Sequence, residues 1–289
     1  MIRVENLTFR YSSHEDPVLR RLNLEIQPGE YLALTGPNGC GKTTFGKHLN
    51  ALLIATQGSV WVDEMDAADP HHWTQIRQRV GMVFQNPDHQ IVSMTVEEDI
   101  AFGPGNLGLP SPEIQARVRR SLEAVGMERS RHRSPHTLSG GEKRLIAIAG
   151  VLAMNPRYIV LDEPTSDLDP RGRRMVLETI GQLNRQGIAI IHITHQLDEI
   201  GGAHRLIVMD HGQIVLQGRA REVLRQVERL KALGLEVPPV SELMWRLREI
   251  DPNVSSPILT PDEAFTEILA FRARSLSSTP SEEKGNGRL

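Results

Sequence analysis

The sequence predicts an α/β fold built on a largely parallel sheet, covered by helices on both faces and interrupted by one helical insertion. Three observations lead to this prediction: apolar runs alternate with helix-like segments, a glycine-rich turn follows one run, and another run ends in two acidic residues. Alternating strands and helices are typical of parallel sheets. Ligands bind such sheets at the carboxyl ends of the strands, so we expect the functional site there.

Short runs of β-branched and apolar residues locate the strands. Strands are predicted at 2–9, 18–26, 31–35, 59–62, 80–84, 158–161, 188–193, 205–209 and 214–217. The last two flank Asp210, His211 and Gly212 and are predicted to form a hairpin. Helices are predicted from about residue 41 to 53, over most of 95–155, after Pro170 and over 219–233. One of them is expected to be capped by Ser111 and Pro112 and to end at Gly126.

Composition shifts divide the chain into three parts. A main domain is predicted over 1–220, with its helical insertion at about 86–155. The pair Pro238 and Pro239 marks a small C-terminal helical appendage over 221–274. The segment 275–289 is rich in Ser, Glu and Gly with little to bury, which predicts a disordered tail.

Overall composition excludes several classes of protein. The chain has 289 residues, 39% of them hydrophobic, and a net charge of −3, so it has no general attraction for nucleic acid or anionic lipid. Its single cysteine, Cys40, rules out a disulfide framework and fits a reducing compartment, with a catalytic thiol as the weaker alternative. We find no signal-peptide core and no apolar run near the roughly twenty residues that span a bilayer, so any membrane role should be peripheral.

The strand at 31–35 runs into a turn with the spacing G-x-x-x-x-G-K-T. Such a turn directs backbone N–H groups at an anion, while Lys42 reaches the β- and γ-phosphates and the Thr43 hydroxyl can ligate Mg²⁺. A helix beginning near Gly41 adds its positive dipole end. The predicted phosphate cradle comprises Gly36, Pro37, Asn38, Gly39, Cys40, Gly41, Lys42, Thr43 and Thr44.

The buried strand at 158–161 is followed by Asp162 and Glu163. An acidic pair at a strand end can be a simple capping feature. Together with Lys42 upstream, it predicts a nucleotide-hydrolysis site in which Asp162 holds Mg²⁺ and Glu163 orients or deprotonates the attacking water.

A second helix start, at Ser139, also offers free N–H groups to an anion. Ser139 followed three residues later by Glu142 is equally an ordinary capping box. That simpler interpretation leaves the pair Gly140 and Gly141 unexplained, since glycines weaken a helix start unless a ligand approaches closely.

In these motifs, residues 1–220 strongly resemble the ATP-binding cassette family. The resemblance implies a P-loop ATPase with a RecA-like, mainly parallel sheet core, an antiparallel β-subdomain and a helical signature subdomain. It assigns Gly36–Thr44 as Walker A and Asp162 with Glu163 as the end of Walker B. The remaining implied positions are Tyr11 stacking on adenine, Gln85 of the Q-loop, Ser139, Gly140, Gly141 and Glu142 of the signature, Ser166 and Asp169 of the D-loop, and the switch histidine His195.

The same resemblance implies ATP and Mg²⁺ as ligands, with Thr43, Gln85 and Asp162 around the metal, and Glu163, His195, Gln85 and Lys42 in catalysis. Two cassettes would meet head to tail, the signature of one capping the ATP held by the other. Glu142 and Asp167 depart from the commonest family residues, and Asp167 leaves the contacts between cassettes in question. His195 as an ordinary surface histidine is the alternative. We reject a metal pair with His192, because three residues along a strand place the two side chains on opposite faces.

Segments 83–88, 95–104, 106–110 and 234–238 further resemble the ATPases of energy-coupling factor transporters. In that group a cassette pair drives a transmembrane coupling protein and a substrate-capture membrane protein that import vitamins, cobalt or nickel. The resemblance therefore implies a position on the cytoplasmic face of the cell membrane. Thr95 with Glu98 is alternatively just a capped helix start, and the arginines at 117–133 are expected to form a solvated face rather than a lipid contact.

Besides an ATPase of another ABC transporter class, two rival functions remain open at this point. A soluble cassette ATPase of DNA repair or translation usually carries a long coiled-coil insertion or a second cassette, and this chain shows neither. It also lacks the basic stripe with interleaved aromatics of a nucleic-acid groove, so no nucleic-acid partner is expected. A non-hydrolysing regulatory subunit is the other alternative, against which the presence of Lys42, Asp162, Glu163 and His195 argues.

Overall fold

The computed structural model describes residues 1–254 and 261–277. Their strands are β1 (Ile2–Phe9), β2 (Leu19–Ile26), β3 (Tyr31–Thr35), β4 (Gln57–Val62), β5 (Met65–Asp66), β6 (Val80–Val83), β7 (Tyr158–Asp162), β8 (Ala189–Ile193), β9 (Arg205–Asp210) and β10 (Gln213–Arg219). Their helices are α1 (Lys42–Leu49), α2 (Trp73–Arg79), α3 (Val96–Asn106), α4 (Ser111–Val125), α5 (Gly140–Leu152), α6 (Pro170–Arg185), α7 (Ala220–Leu224), α8 (Val227–Ala232), α9 (Pro239–Ile250) and α10 (Pro261–Ser277).

The larger sheet has the strand order β10-β9-β3-β8-β7-β6, in which every neighbouring pair is parallel except the hairpin of β9 and β10. A smaller antiparallel sheet has the order β2-β1-β4-β5. Both the mainly parallel core and the antiparallel subdomain are thereby confirmed. The carboxyl ends of β3, β7 and β8 lie side by side, which is where the cradle, the acidic pair and His195 begin.

Strands β3, β7 and β8 are buried at every residue, because apolar clusters cover both faces of the sheet. One cluster joins the sheet to α1 and the antiparallel subdomain through Phe45 and Leu49. The other joins it to α3–α6 through Ile146 and Ile180, among others. Burial on two sides explains why these strands read as continuous apolar runs rather than alternating ones.

The helical insertion is formed by α3, α4 and α5. The predicted capping boxes of Thr95 with Glu98 and of Ser139 with Glu142 are both present, and Gly126, in the left-handed conformation at φ 70°, ends α4. The predicted cap by Ser111 is wrong: Ser111 is the first helical residue, Pro110 occupies the capping position, and no side chain caps this start. The sequence pattern also did not reveal the short elements β5 and α2.

The predicted continuous helix over 219–233 is wrong, because it divides into α7 and α8 at Arg225 and Gln226. Its apolar residues nevertheless pack as one set against Leu206 and Val208 of the large sheet. These residues are Val223, Leu224, Val227 and Leu230. Helix α7 packs against β9 and β10, whereas α8 contacts α9, so the two short helices have different neighbours.

Beyond this point α9 and α10 share a small core of Met244, Val254 and Ala264. Helix α10 continues to Ser277, three residues into the predicted tail, and the remainder of that tail, 278–289, lies outside the described residues. Over the part of the chain that the structure describes, no helix has both the length and the apolar content to cross a membrane.

Candidate nucleotide-binding and hydrolysis site

The phosphate cradle turns between the carboxyl end of β3 and the start of α1. Gly36 has φ 150°, and a Cβ there would lie 2.1 Å from the Met209 carbonyl oxygen, so only glycine fits. Gly41 occupies the capping position of α1 at φ 105°. The loop is therefore held against β9 on one side and opens directly into a helix N-terminus on the other.

Lys42 places its ammonium inside this loop. Its Nζ donates to the carbonyl oxygens of Gly36 at 2.7 Å and Pro37 at 2.9 Å, and the residue is buried. Two carbonyls that share a cation hold it in position without neutralising its charge. The positive charge thus lies at the centre of a ring of loop backbone, as phosphate binding requires.

Asp162, at the end of β7, lies beside Thr43 of α1. Burial and the neighbouring charge of Glu163 raise the pKa of Asp162, while a hydrogen bond from Thr43 and the charge of Lys47 oppose this change. Asp162 Oδ1 is buried and has no hydrogen-bond partner within the described structure. A buried carboxylate oxygen that lacks a donor and lies next to a hydroxyl has the chemistry of a Mg²⁺ ligand pair.

Glu163 is held through both of its carboxylate oxygens. Gln85 Nε2 donates to Oε2 at 2.8 Å, and His195 Nδ1 lies 3.3 Å from Oε1. Its backbone, at φ 46°, is further fixed by a 2.9 Å hydrogen bond from its N–H to the Ile193 carbonyl. The structure therefore brings Gln85, Glu163 and His195 together from the ends of three neighbouring strands, as expected for a general base with its orienting partners.

Tyr11 contacts α1 next to the phosphate cradle. Its hydroxyl is 3.0 Å from the Thr44 hydroxyl, and its ring meets Phe9 edge to face with 4.9 Å between centroids. The ring is 57% exposed. An aromatic face beside the cradle is available for stacking, so the predicted adenine contact stays a prediction that the position of Tyr11 permits.

The signature residues Ser139–Glu142 and the D-loop line a cleft of about 540 Å³. Ser139 accepts from the Glu142 N–H at 3.3 Å and its own N–H donates to the Glu142 carboxylate at 2.8 Å. A Cβ on Gly141 would lie 2.8 Å from Cα of Gly172. The close approach of α5 and α6 therefore explains why position 141 requires glycine. The sequence alone had suggested only a bound ligand as the reason for the glycine pair.

The D-loop turn suits the residues that form it. Ser166 Oγ donates to the Glu163 carbonyl at 3.0 Å, and Asp169 caps α6 by accepting from the Gly172 N–H at 2.8 Å. Asp167, between them, is exposed at φ 60°. Aspartate tolerates this left-handed conformation better than most side chains do, so the unusual residue fits its backbone.

Arg144 is a site residue that sequence reasoning missed. It is buried in α5, and its guanidinium donates to the backbone carbonyls of Phe84 and Gln85. Burial lowers its pKa, against the charges of Asp162 and Asp167. The available signal was an arginine within the apolar run of α5. Its contacts tie α5 to the backbone of Gln85, whose side chain donates to Glu163.

A lysine-bearing glycine loop after a central parallel strand, with a buried aspartate and a clamped glutamate at adjacent strand ends, defines a P-loop nucleoside triphosphatase. Comparison with known proteins narrows this class. The ABC transporter family profile matches residues 19–166, which is about half of the chain.

Two relatives show the extent of the similarity. The chain is 51% identical over 278 residues to the cobalt import ATP-binding protein CbiO of Syntrophus aciditrophicus, covering 96% of this chain and 99% of that protein. It is also 51% identical over 267 residues to the energy-coupling factor transporter ATP-binding protein EcfA1 of Caldanaerobacter subterraneus, covering 91% and 96%.

Two solved structures of ATP-binding cassettes also resemble this chain in fold. CbiO1 of Clostridium perfringens, described as part of the ABC transporter complex CbiONQ, superposes with a TM-score of 0.73 at 35% identity, covering 84% of this chain and 98% of that one. A dimeric structure of the ATP-binding cassette MJ0796 bound to ADP and phosphate gives 0.69 at 28% identity, covering 76% and 99%. The chain therefore belongs to the ABC transporter family as an ATPase. Within the family it falls among the cobalt-import and energy-coupling factor ATP-binding proteins.

Proposed function

We propose that this chain hydrolyses ATP to power an energy-coupling factor importer for a vitamin or a transition-metal ion such as cobalt or nickel. The observation that carries the proposal is the link from Glu163 through Gln85 to an exposed apolar surface. Gln85 contacts the proposed general base and begins the segment that leads to Val92 and Met94, which are 65% and 76% exposed. A movement of Glu163 during hydrolysis would reach that surface through Gln85 and the residues up to Met94.

At the nucleotide, Gly36–Thr44 would bind the phosphates and Tyr11 would stack on adenine. Glu163 would accept the proton of the attacking water, and His195 would contact the γ-phosphate while it orients the carboxylate. Lys42 would offset the negative charge of the β- and γ-phosphates in the transition state.

Mg²⁺ would be held by Thr43 and Asp162, with Gln85 nearby, and the orphaned Oδ1 of Asp162 supports this assignment. No cluster of three or more His, Cys, Asp or Glu side chains suited to a metal occurs in 1–254 and 261–277, and Mg²⁺ usually needs only one or two carboxylates beside substrate phosphates. The ion would neutralise charge on the phosphates.

Two cassettes would enclose the nucleotide, each giving its cradle to one ATP and its signature to the other. The cradle and the signature line different cavities of one chain, which supports their binding different nucleotides. Cradle residues 37–40 line a cavity with Asp210 and His211, whereas Ser139–Glu142 line the cleft with the D-loop. Polyphosphate between two positive helix ends favours closure, and its cleavage favours reopening. The second cassette would be an identical chain or a paralogue.

The membrane partner would dock on the surface that contains Val92, Met94 and Phe102, the last of them 56% exposed. Three large apolar side chains exposed within residues 92–102 favour an interaction surface in this segment. The chain would then act as a peripheral subunit on the cytoplasmic face of the membrane, beside a transmembrane coupling protein and a substrate-capture protein. The names of the relatives, a cobalt import protein and an energy-coupling factor transporter protein, support this cargo class.

A pull-down from detergent-solubilised membranes tests the proposal. We expect the tagged full-length chain to retain integral membrane proteins in a fixed ratio, and Met94→Lys or Phe102→Lys to release them. Leu52→Lys, at a 42% exposed apolar residue elsewhere, is the matched control and should retain them. Capture of nucleic acid or ribosomes instead of membrane proteins would favour a soluble cassette ATPase.

A further inference from the structure

One buried carboxylate joins the segments that carry the two proposed catalytic side chains. Glu199 follows β8 in a short 3₁₀ turn over Leu197–Glu199, and its side chain is completely buried. Thr165, two residues after Glu163, donates its hydroxyl to Glu199 Oε1. Thr194, immediately before His195, donates to Oε2 at 3.0 Å. Each carboxylate oxygen therefore holds one of the two turns.

The same carboxylate also fixes the helix that follows the D-loop. Arg173 of α6 pairs through Nε with Glu199 Oε1 at 2.8 Å. His192 lies on the other side, with Nε2 3.5 Å from Oε2 and Nδ1 3.0 Å from the Tyr31 hydroxyl. Four elements thus meet around Glu199: the Glu163 turn, the His195 turn, α6, and strand β8 through His192, which in turn contacts Tyr31 of β3.

Glu199 is a charged group in this setting. Burial raises its pKa, but the interactions with His192 and Thr165 and the charge of Arg173 bring the pKa below its usual value. A buried carboxylate that is fully engaged makes its neighbours rigid, because each group that leaves it forfeits a charge-assisted hydrogen bond or ion pair.

Ser166 Oγ also holds the Glu163 turn, at its backbone carbonyl, but it does not reach the His195 turn, whereas the side chain of Glu199 accepts from both turns. The Glu163 carboxylate depends on a backbone at φ 46°, which is a strained conformation for a residue with a side chain. Thr165 lies two residues after Glu163, and its hydroxyl bonds that segment to the buried Glu199 carboxylate. The link from Thr194 does the same for His195, whose ring is otherwise half exposed.

We propose that Glu199 is a positioning residue for ATP hydrolysis. It fixes the turns that carry Glu163 and His195 relative to each other, and it connects both turns to helix α6, which follows the D-loop. This inference rests on the roles of Glu163 and His195 proposed above. It adds that the geometry of the catalytic pair is set from inside the protein, by a residue that touches neither nucleotide nor water.

A kinetic comparison in the full-length chain tests the inference. Glu199→Gln keeps the shape but removes the charge, and we expect kcat for ATP to fall by about tenfold or more with KM within about twofold. Nucleotide-binding stoichiometry, measured on the same samples, gives the folded fraction, so loss of folded protein cannot imitate the kcat effect. Asp198→Asn removes the neighbouring surface carboxylate that also pairs with Arg173, and it should stay within about twofold of wild type.

A double-mutant cycle tests whether Glu199 acts through its hydrogen bond with Thr165. Thr165→Val should lower kcat by roughly threefold to tenfold in the native background and have little further effect beside Glu199→Gln, because both remove the same link. Additive effects, an unchanged kcat in Glu199→Gln, or an equal loss in Asp198→Asn would overturn the inference.

Measurement of Glu163→Gln in parallel distinguishes failure of this inference from failure of the proposed catalytic roles. If it abolishes hydrolysis while Glu199→Gln does not slow it, the inference fails and the catalytic roles stand. If Glu163→Gln hydrolyses normally, the catalytic roles themselves fail.

Discussion

Gln85 and Glu163 are 78 positions apart in the chain, yet the Gln85 amide donates to the Glu163 carboxylate at 2.8 Å. The contact joins the end of β6 to the end of β7, which are neighbours in the parallel sheet. Arg144 of α5 donates to the Gln85 backbone, so Gln85 connects the glutamate to the helix proposed to bind the second cassette's ATP. The proposed hydrolysis site and the proposed contact between cassettes are therefore linked through side chains of one chain.

Glu163→Gln should retain ATP binding and lose hydrolysis. The amide preserves the shape of the side chain but cannot accept the proton of water, so we expect kcat to fall by about 10²- to 10⁴-fold. The closed cassette pair should accumulate with ATP, which size-exclusion chromatography detects. Hydrolysis at the native rate would show that another group is the base.

Lys42→Ala should act on binding rather than on the chemical step alone. Loss of charge-assisted hydrogen bonds to phosphate costs about 1.5–3 kcal/mol, which weakens ATP affinity roughly 10- to 150-fold. Equilibrium titration with a fluorescent ATP analogue measures it. Lys231→Ala, at a lysine of α8 that pairs with Glu242, is the control and should change affinity far less. An unaltered affinity in Lys42→Ala would refute the cradle assignment.

Gly141→Ala and Gly150→Ala form a matched pair within α5. A methyl group at Gly141 would meet Gly172 at 2.8 Å and push α5 away from α6, whereas at Gly150 nothing lies within 4 Å. We expect a loss of about 1–3 kcal/mol in the free energy of unfolding for the first. The second should be neutral or stabilising by up to ~1 kcal/mol, since alanine favours helix. Urea denaturation checks both, and equal losses would contradict the packing explanation.

Cys40 should react slowly with alkylating reagents in the native chain. Burial raises the pKa of its thiol, with the charge of Lys42 opposing, and the thiolate is the reactive form. The native rate should therefore stay low at pH 7 to 8 and rise only at more alkaline pH, while the urea-unfolded chain reacts about tenfold faster at pH 8. Because Cys40 is the single cysteine, mass spectrometry gives the rate directly, and ATP should slow it further.

Rapid native alkylation at pH 7 would mean that the cradle opens far more readily than its contacts indicate. A reaction unaffected by ATP would mean that nucleotide does not cover the thiol.

Local patterns in the sequence determined the parts of this protein whose structure depends on near neighbours. The glycine spacing of the cradle, the capping boxes at Thr95 and Ser139, and the hairpin around Gly212 follow from backbone geometry within a few residues. The fully buried strands follow from apolar runs, since burial on both faces leaves no alternation. The glycine spacing together with Lys42 indicated a phosphate-binding loop, and the resemblance of the combined motifs indicated the family.

Only the tertiary structure decided which of these residues act together. The clamp on Glu163, the burial of Arg144 and the convergence on Glu199 join residues far apart in sequence, through the order in which parallel strands lie side by side. The break between α7 and α8 and the approach of Gly141 to Gly172 depend likewise on what each helix packs against. Packing is a property of neighbours in space, so periodicity along the chain shows which face is buried but not what covers it.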